Sequence, residues 1–185
     1  TQYDEGMSTA PTPHLPVTAI LGVGSMGGAI LQGLLAPHVQ IDGPIRVTTF
    51  SAASAEELDK LHGVSPVALE TNKHANREAV KDARLVILGV KPHMVPDLLR
   101  DIADHIKQDA IVVSVAAGVT LQSMRALLPN TVTVLRAMPN TPSLIGKGVT
   151  GIVQDDETPN EALELAIRLF ETVGDVITVQ SEAQL

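Results

Sequence analysis

Val17-Thr18-Ala19-Ile20-Leu21-Gly22-Val23-Gly24-Ser25-Met26-Gly27 begins as an apolar run and ends as a glycine-spaced turn. The first five residues predict a strand. Residues 26–35, with Gly28, Ala29 and Gly33 among them, predict a helix that can pack closely. Between the two, the spacing G-x-G-x-x-G has a physical purpose. Gly22 permits a tight turn out of the strand, Gly24 lets a pyrophosphate approach the backbone, and Gly27 lets the helix lie against the strand. Free N–H groups and the dipole at the helix start favour an anion there. Glycine turns of this spacing also occur without a ligand. The strand before and the helix after are what a dinucleotide site requires, and both are present.

Outward from this join, strands and helices alternate. Residues 45–50 follow the Asp42-Gly43-Pro44 turn as a second strand, and Ser54 is expected to cap a helix through residue 61, with Glu57 completing a capping box. Residues 67–69 predict a short strand and residues 75–81 a helix. Leu85-Val86-Ile87-Leu88-Gly89-Val90 is apolar throughout, the pattern of a strand buried on both faces. Pro92 is expected to open a helix to about residue 107. Strands at 111–115, 132–135, 149–153 and 176–179, with helices at 120–127 and 159–173, complete the series. The succession predicts an α/β fold: a Rossmann-type doubly wound, mostly parallel sheet with helices on both faces.

Composition agrees. The chain has 185 residues, 44% apolar, but only 2% are aromatic, so the core must be built from Val, Ile, Leu and Ala. A net charge of −8 offers no basic patch for nucleic acid. The absence of cysteine excludes disulfides, thiolate catalysis and Cys-ligated metals and fits a reducing compartment. No apolar run reaches the roughly 20 residues of a membrane span. The sequence therefore reads as a soluble cytoplasmic protein. Residues 1–16, with Pro11, Pro13 and Pro16, are expected to form a flexible N-terminal arm, residues 17–180 the NAD(P)-binding domain, and residues 181–185 the first turn of a following helical domain.

Candidate site residues gather at predicted strand ends, where an open α/β sheet holds its ligands. After the second strand stand Phe50-Ser51-Ala52-Ala53-Ser54, without the acid that commonly binds a ribose 2′-hydroxyl; the first acid is Glu56. Hydroxyls and open helix N–H groups could hold a 2′-phosphate, so NADP is favoured and NAD is the alternative. Lys91 follows the 85–90 strand, placed either to meet an acidic ligand or as a solvated lysine. Ser114-Val115-Ala116-Ala117-Gly118 ends the next strand with small side chains that would leave room for a flat ring or simply pack closely. The six histidines show no metal-ligand spacing, and only His93 lies near a candidate site. No metal is expected.

Read in order, Gly22 to Gly27, Asn76-Arg77-Glu78-Ala79-Val80, Val90-Lys91-Pro92, Val115-Ala116-Ala117-Gly118 and Met138-Pro139-Asn140-Thr141-Pro142 resemble pyrroline-5-carboxylate reductase from about residue 17 to the end. Met-Pro-Asn-Thr-Pro carries most of the specificity. The resemblance implies hydride transfer from NAD(P)H to the cyclic imine 1-pyrroline-5-carboxylate, giving proline. It also implies that Leu21, Gly22, Val23, Gly24, Ser25 and Met26 line the pyrophosphate and Ser51 meets the 2′-phosphate. Asn76 would hold the adenosine ribose side, Val90, Lys91, Pro92, Val115, Ala116 and Ala117 the nicotinamide side. Met138, Pro139, Asn140 and Thr141 would border the substrate pocket. Ala52-Ala53 departs from the family, in which a basic residue often follows the serine.

The resemblance further implies a C-terminal helical domain that forms the oligomer and most of the substrate pocket. No catalytic residue is assigned; Asn140 and Thr141 are positioning groups. The partner is a small molecule, with neither nucleic acid nor membrane involved. Two alternatives stand beside this one: another NAD(P)-dependent reductase of the hydroxyacid or prephenate dehydrogenase type, and a cofactor-binding domain inactive in isolation.

Overall fold

In the computed structural model, residues 14–185 are described. The first half holds strands β1 (His14–Leu15), β2 (Thr18–Leu21), β3 (Gln40–Ile41), β4 (Ile45–Thr49), β5 (Val64–Ala68) and β6 (Leu85–Leu88), with helices α1 (Ser25–Leu34), α2 (Ala52–Asp59) and α3 (Ala75–Val80). Helix α4 (Val95–Ile102), β7 (Ile111–Ser114), α5 (Leu121–Arg125), β8 (Thr133–Pro139), β9 (Gly148–Val153), α6 (Asn160–Glu171) and β10 (Gly174–Val179) follow.

Eight strands form one sheet in the order β10-β9-β8-β7-β6-β2-β4-β5. Every pairing is parallel except β8 with β9. The chain starts the sheet at β2, winds outward to β4 and β5, then returns to β6 on the other side. The crevice between the carboxyl ends of β2, β4 and β6 is the topological switch point of such a sheet.

Successive residues of the central strands feed opposite faces, which is why their sequences are apolar without a break. Ile20, Ile87, Val113 and Leu135 pack with α1 and α6 on one face. Leu21, Val86, Val112 and Val134 pack with α3, α4 and α5 on the other. Small residues set how closely α1 approaches: a Cβ on Gly33 would lie 2.7 Å from Thr172 Oγ1 at the end of α6.

The fold differs from the sequence expectation in four places. Residues 1–13 of the expected arm lie outside the described residues, but His14 to Pro16 do not belong to an arm. Leu15 is fully buried, and β1 pairs in parallel with β3 as a second, two-stranded sheet. Helix α2 is capped by Ser51, whose Oγ accepts from Ser54 N–H at 3.2 Å, and Glu57 pairs with Lys60 instead of closing a box. The single helix expected from Pro92 is a 3-10 turn (Pro92–Met94) followed by α4. Val95 N–H reaches Pro92 C=O, but Pro96 has no N–H with which to continue the ladder. Strand β8 runs to Pro139, four residues beyond the expected end, because β9 pairs with its last three residues.

Candidate functional site

The carboxyl edge of the sheet carries a cleft of about 600 Å³. Its floor is the glycine turn. Gly22 has φ +86°, a conformation available to glycine at little cost. A Cβ there would lie 2.6 Å from Val90 Cγ1. The Gly22 carbonyl in turn fills the space that side chains on Gly27 and Gly89 would occupy, so three glycines close one joint between β2, α1 and β6. Around Gly24, by contrast, a Cβ would find no atom within 4 Å. The turn is packed tightly underneath and left open above, as a ligand approaching the backbone requires.

Helix α1 begins at this opening. Gly24 is its N-cap, no side chain caps it, no acid stands in its first turn, and Gly28 N–H to Gly24 C=O is its first internal bond. The preceding N–H groups thus present unsatisfied donors and a positive dipole end to an anion.

The turn is fastened by a buried relay. Gly22 N–H donates to Thr48 Oγ1 at 3.1 Å, and Thr48 Oγ1 donates to Asn76 Oδ1 at 2.7 Å. Gly22 and Val23 N–H also reach Thr48 C=O, each at 3.2 Å. Because the Thr48 hydroxyl proton is committed to Asn76, the Asn76 carbonyl oxygen must face Thr48 and its NH2 is left for the cleft. Asn76 is 9% exposed, lines the cleft, and donates to no partner among the described residues.

Along the outer wall, Ser51 and Ser54 join hydroxyls at 2.9 Å at the start of α2. The helix N–H groups there are less open than expected. Ser54 N–H is taken by Ser51, and Ala52 N–H donates to Glu70 Oε2 at 2.8 Å. Phe50, 79% exposed, and Met94 place apolar surface at the rim. On the β6 side stand Lys91, His93 and Asp97, with Asp101 paired to Arg77 at 2.7 Å.

The candidate residues fall into two groups. Gly22, Val23, Gly24, Ser51, Asn76, Val90 and Lys91 share the cleft. Ser25 and Met26 open α1 beside it, Pro92 begins the 3-10 turn after Lys91, and Leu21 is fully buried in the core. Val115, Ala116 and Ala117 follow β7 further along the same edge, and none of them lines the cleft.

Met138, Pro139, Asn140 and Thr141 also lie apart. Met138 and Pro139 end β8, opposite Gly151 and Thr150 of β9. Asn140 Oδ1 accepts from Val149 N–H at 2.9 Å and so ties the start of β9 to the end of β8. Thr141 opens a 3-10 turn (Thr141–Ile145) that packs against α1. One helix therefore starts at the glycine turn and packs against the turn that begins with Thr141 and Pro142.

Thr48 and Gly89 line the cleft and sequence reading did not assign them; nor did it assign Glu70, which does not line the cleft and meets its outer wall through Ala52 N–H. A threonine inside a strand carries no signal, and Glu70 arrives from the neighbouring strand. The shifted pKa values belong to ion pairs outside the cleft. A hydrogen bond from Arg125 holds Asp155 below its ordinary value, Arg84 does the same for Glu161, and Lys107 for Asp109. No helix among the described residues is long and apolar enough to cross a membrane.

Known proteins share this sequence pattern and fold. Residues 17–118 match the family described as NADP oxidoreductase, coenzyme F420-dependent. The chain is 34% identical over 164 residues to pyrroline-5-carboxylate reductase of Corynebacterium melassecola, covering 87% of this chain and 58% of that protein. It is 32% identical over 170 residues to the Pseudomonas aeruginosa enzyme of that name, covering 92% and 60%. A solved pyrroline-5-carboxylate reductase from Coxiella burnetii superposes with a TM-score of 0.78 at 30% identity, over 90% of this chain and 60% of that one. The chain thus spans about three fifths of the length of the relatives it matches.

Proposed function

We propose that this chain, which belongs to the family described as NADP oxidoreductase, coenzyme F420-dependent, is the cofactor-binding part of a pyrroline-5-carboxylate reductase. The reaction is reduction of the cyclic imine of 1-pyrroline-5-carboxylate to L-proline. One observation carries the reading: α1 starts at an open glycine turn and packs against the turn that follows Met138 and Pro139. The glycine turn and the end of the Met-Pro-Asn-Thr-Pro segment, at Thr141 and Pro142, are thereby set against one helix.

The residues present fit a nicotinamide dinucleotide. When bound, it supplies the hydride; the chain supplies position and electrostatics. The N–H groups at the start of α1 hold the pyrophosphate, and the Asn76 amide donates to the ribose side. Val115, Ala116 and Ala117 leave room for the nicotinamide. Asn140 has committed its carbonyl oxygen to Val149, so its NH2 and the exposed Thr141 hydroxyl are left to orient substrate. No side chain of this chain is assigned as proton donor; the proton comes from water, from the protonated imine, or from a following helical domain.

That domain, in this reading, completes the substrate pocket and makes the homo-oligomer, while the residues described here work in the cytoplasm. NADP(H) is the preferred cofactor, supported by the Ser51 and Ser54 hydroxyls and by the lack of an acid at the end of β4, and NAD(H) is also taken. The test is NADPH oxidation by the full-length protein, with the imine offered beside keto-acid and hydroxyacid substrates. The imine is expected to be turned over selectively. Good NADPH binding with turnover only of a keto or hydroxy acid would replace this reading with a hydroxyacid-type reductase.

A further inference from the structure

The carboxylate at the start of α2 bears on which dinucleotide the cleft prefers. Strands β4 and β5 pair in parallel with Thr49 opposite Ala68, and Glu70 N–H continues the ladder to Phe50 C=O at 3.0 Å. This register delivers Glu70 to the same sheet edge as Ser51. Its Oε2 then accepts from Ala52 N–H at 2.8 Å.

An acid in this place is not the one that a chain-order reading looks for. The end of β4 itself is Thr49-Phe50-Ser51, and the acid comes from the next strand, eighteen residues on. Glu70 does not itself line the cleft and meets it through this bond to Ala52 N–H, and among the described residues no cation pairs with it. The cationic residues lining the cleft, Lys91 and the ionisable His93, stand on the β6 side. That the cleft takes a ligand is supported independently by Asn76 of α3, nine-tenths buried and lining the same cleft, whose NH2 has no partner among the described residues.

We propose that Glu70 is a specificity-determining residue for the cofactor: its carboxylate competes with a ribose 2′-phosphate for the start of α2 and holds down the preference for NADP over NAD. The inference rests on the dinucleotide reading above. A 2′-phosphate carries a charge on the order of −1.5 to −2. Near it, a carboxylate repels and also keeps Ala52 N–H from donating, while Ser54 N–H is already bonded to Ser51. A 2′-hydroxyl suffers neither effect and can itself donate to the carboxylate.

The test is calorimetric binding of NAD, NADP, 5′-AMP and 2′,5′-ADP to the 185-residue chain and to two variants. Glu70→Gln keeps an oxygen for Ala52 N–H and removes the charge, so the helix stays capped. It is expected to bind NADP and 2′,5′-ADP about five- to tenfold more tightly, the size of one unscreened charge contact at a surface. NAD and 5′-AMP should change by less than about twofold. Glu70→Lys should extend the same trend, and the gain should shrink in 1 M salt, where charges are screened beyond about 3 Å. Equal changes for both cofactors, or none, with the thermal transition preserved, overturn the role of Glu70 and leave the dinucleotide reading standing. Failure of the unaltered chain to bind either dinucleotide overturns both.

Discussion

A Cβ on Gly27 would lie 2.6 Å from the carbonyl oxygen of Gly22. Neither atom belongs to a flexible side chain, so neither can give way alone. Gly27→Ala should push α1 off β2 and deform the turn, costing about 2–3 kcal/mol, as overpacking at a tight contact does. Urea unfolding and NADPH titration check it together. Affinity should fall at least tenfold, roughly 1.4 kcal/mol, and an unchanged affinity would show that the joint is not part of the binding surface.

Thr48 holds two elements that never touch each other in sequence. Thr48→Val deletes its hydroxyl, leaving Asn76 Oδ1 without its donor and freeing the Asn76 amide to turn. A loss of about 1–2 kcal/mol in stability is expected. Dinucleotide binding should weaken more than stability alone explains, and Thr48→Ser should restore it. If serine fails to restore binding, the methyl group rather than the hydrogen bond is what matters there.

Asn140 ties the end of β8 to the start of β9. Asn140→Ala removes the acceptor of Val149 N–H and is expected to cost about 1 kcal/mol. Amide exchange should quicken locally, at Val149 and through residues 141–147, while β2 and β6 keep their protection. Uniform quickening across the sheet would argue against a local tie.

Asp155 provides a pH test away from the cleft. Arg125 meets it with two nitrogens, at 2.8 and 3.1 Å, and holds its carboxyl below the ordinary value. A depressed folded-state pKa contributes stability above the unfolded value, about 3.9, which is lost as pH falls through the folded value. Both partners keep some solvent exposure, so Asp155→Asn should cost only about 1 kcal/mol at pH 7. In urea titrations the gap between the two proteins should begin to narrow below about pH 4 and close only once the pH is below the folded-state value. A gap that persists into acid would assign the cost to packing.

The sheet was legible because burial on both faces leaves strands such as Leu85 to Leu88 wholly apolar, and because Gly22 to Gly27 marks where the first strand turns. What escaped depended on neighbours distant in sequence. Leu15 sits between prolines and reads as linker until β3 supplies its partner. Ser51 and Ser54 are equally good caps on paper, and the choice falls to Ser51 because it still has extended backbone as β4 ends. Strand ends lead Gly22, Gly24, Ser51, Val90 and Lys91 into one cleft, but Asn76 enters it from α3, and Val115, Ala116 and Ala117 stay outside it. Glu70 was not foreseeable, since its place is set by the β4–β5 register. Nor was the bond that commits Asn140 to Val149, since the reversal at β9 is tertiary.

The small β1–β3 pair also has a practical side. It brings the polypeptide into the fold at the amino edge of the sheet, where His14 meets Asp42 at 2.8 Å. The glycine turn lies one strand away, roughly 13 Å for the four residues of β2. An anchor attached at His14 itself would therefore face its support with the edge opposite the glycine turn, leaving the cleft pointing into solution. Attachment at that edge would leave the residues that line the cleft untouched.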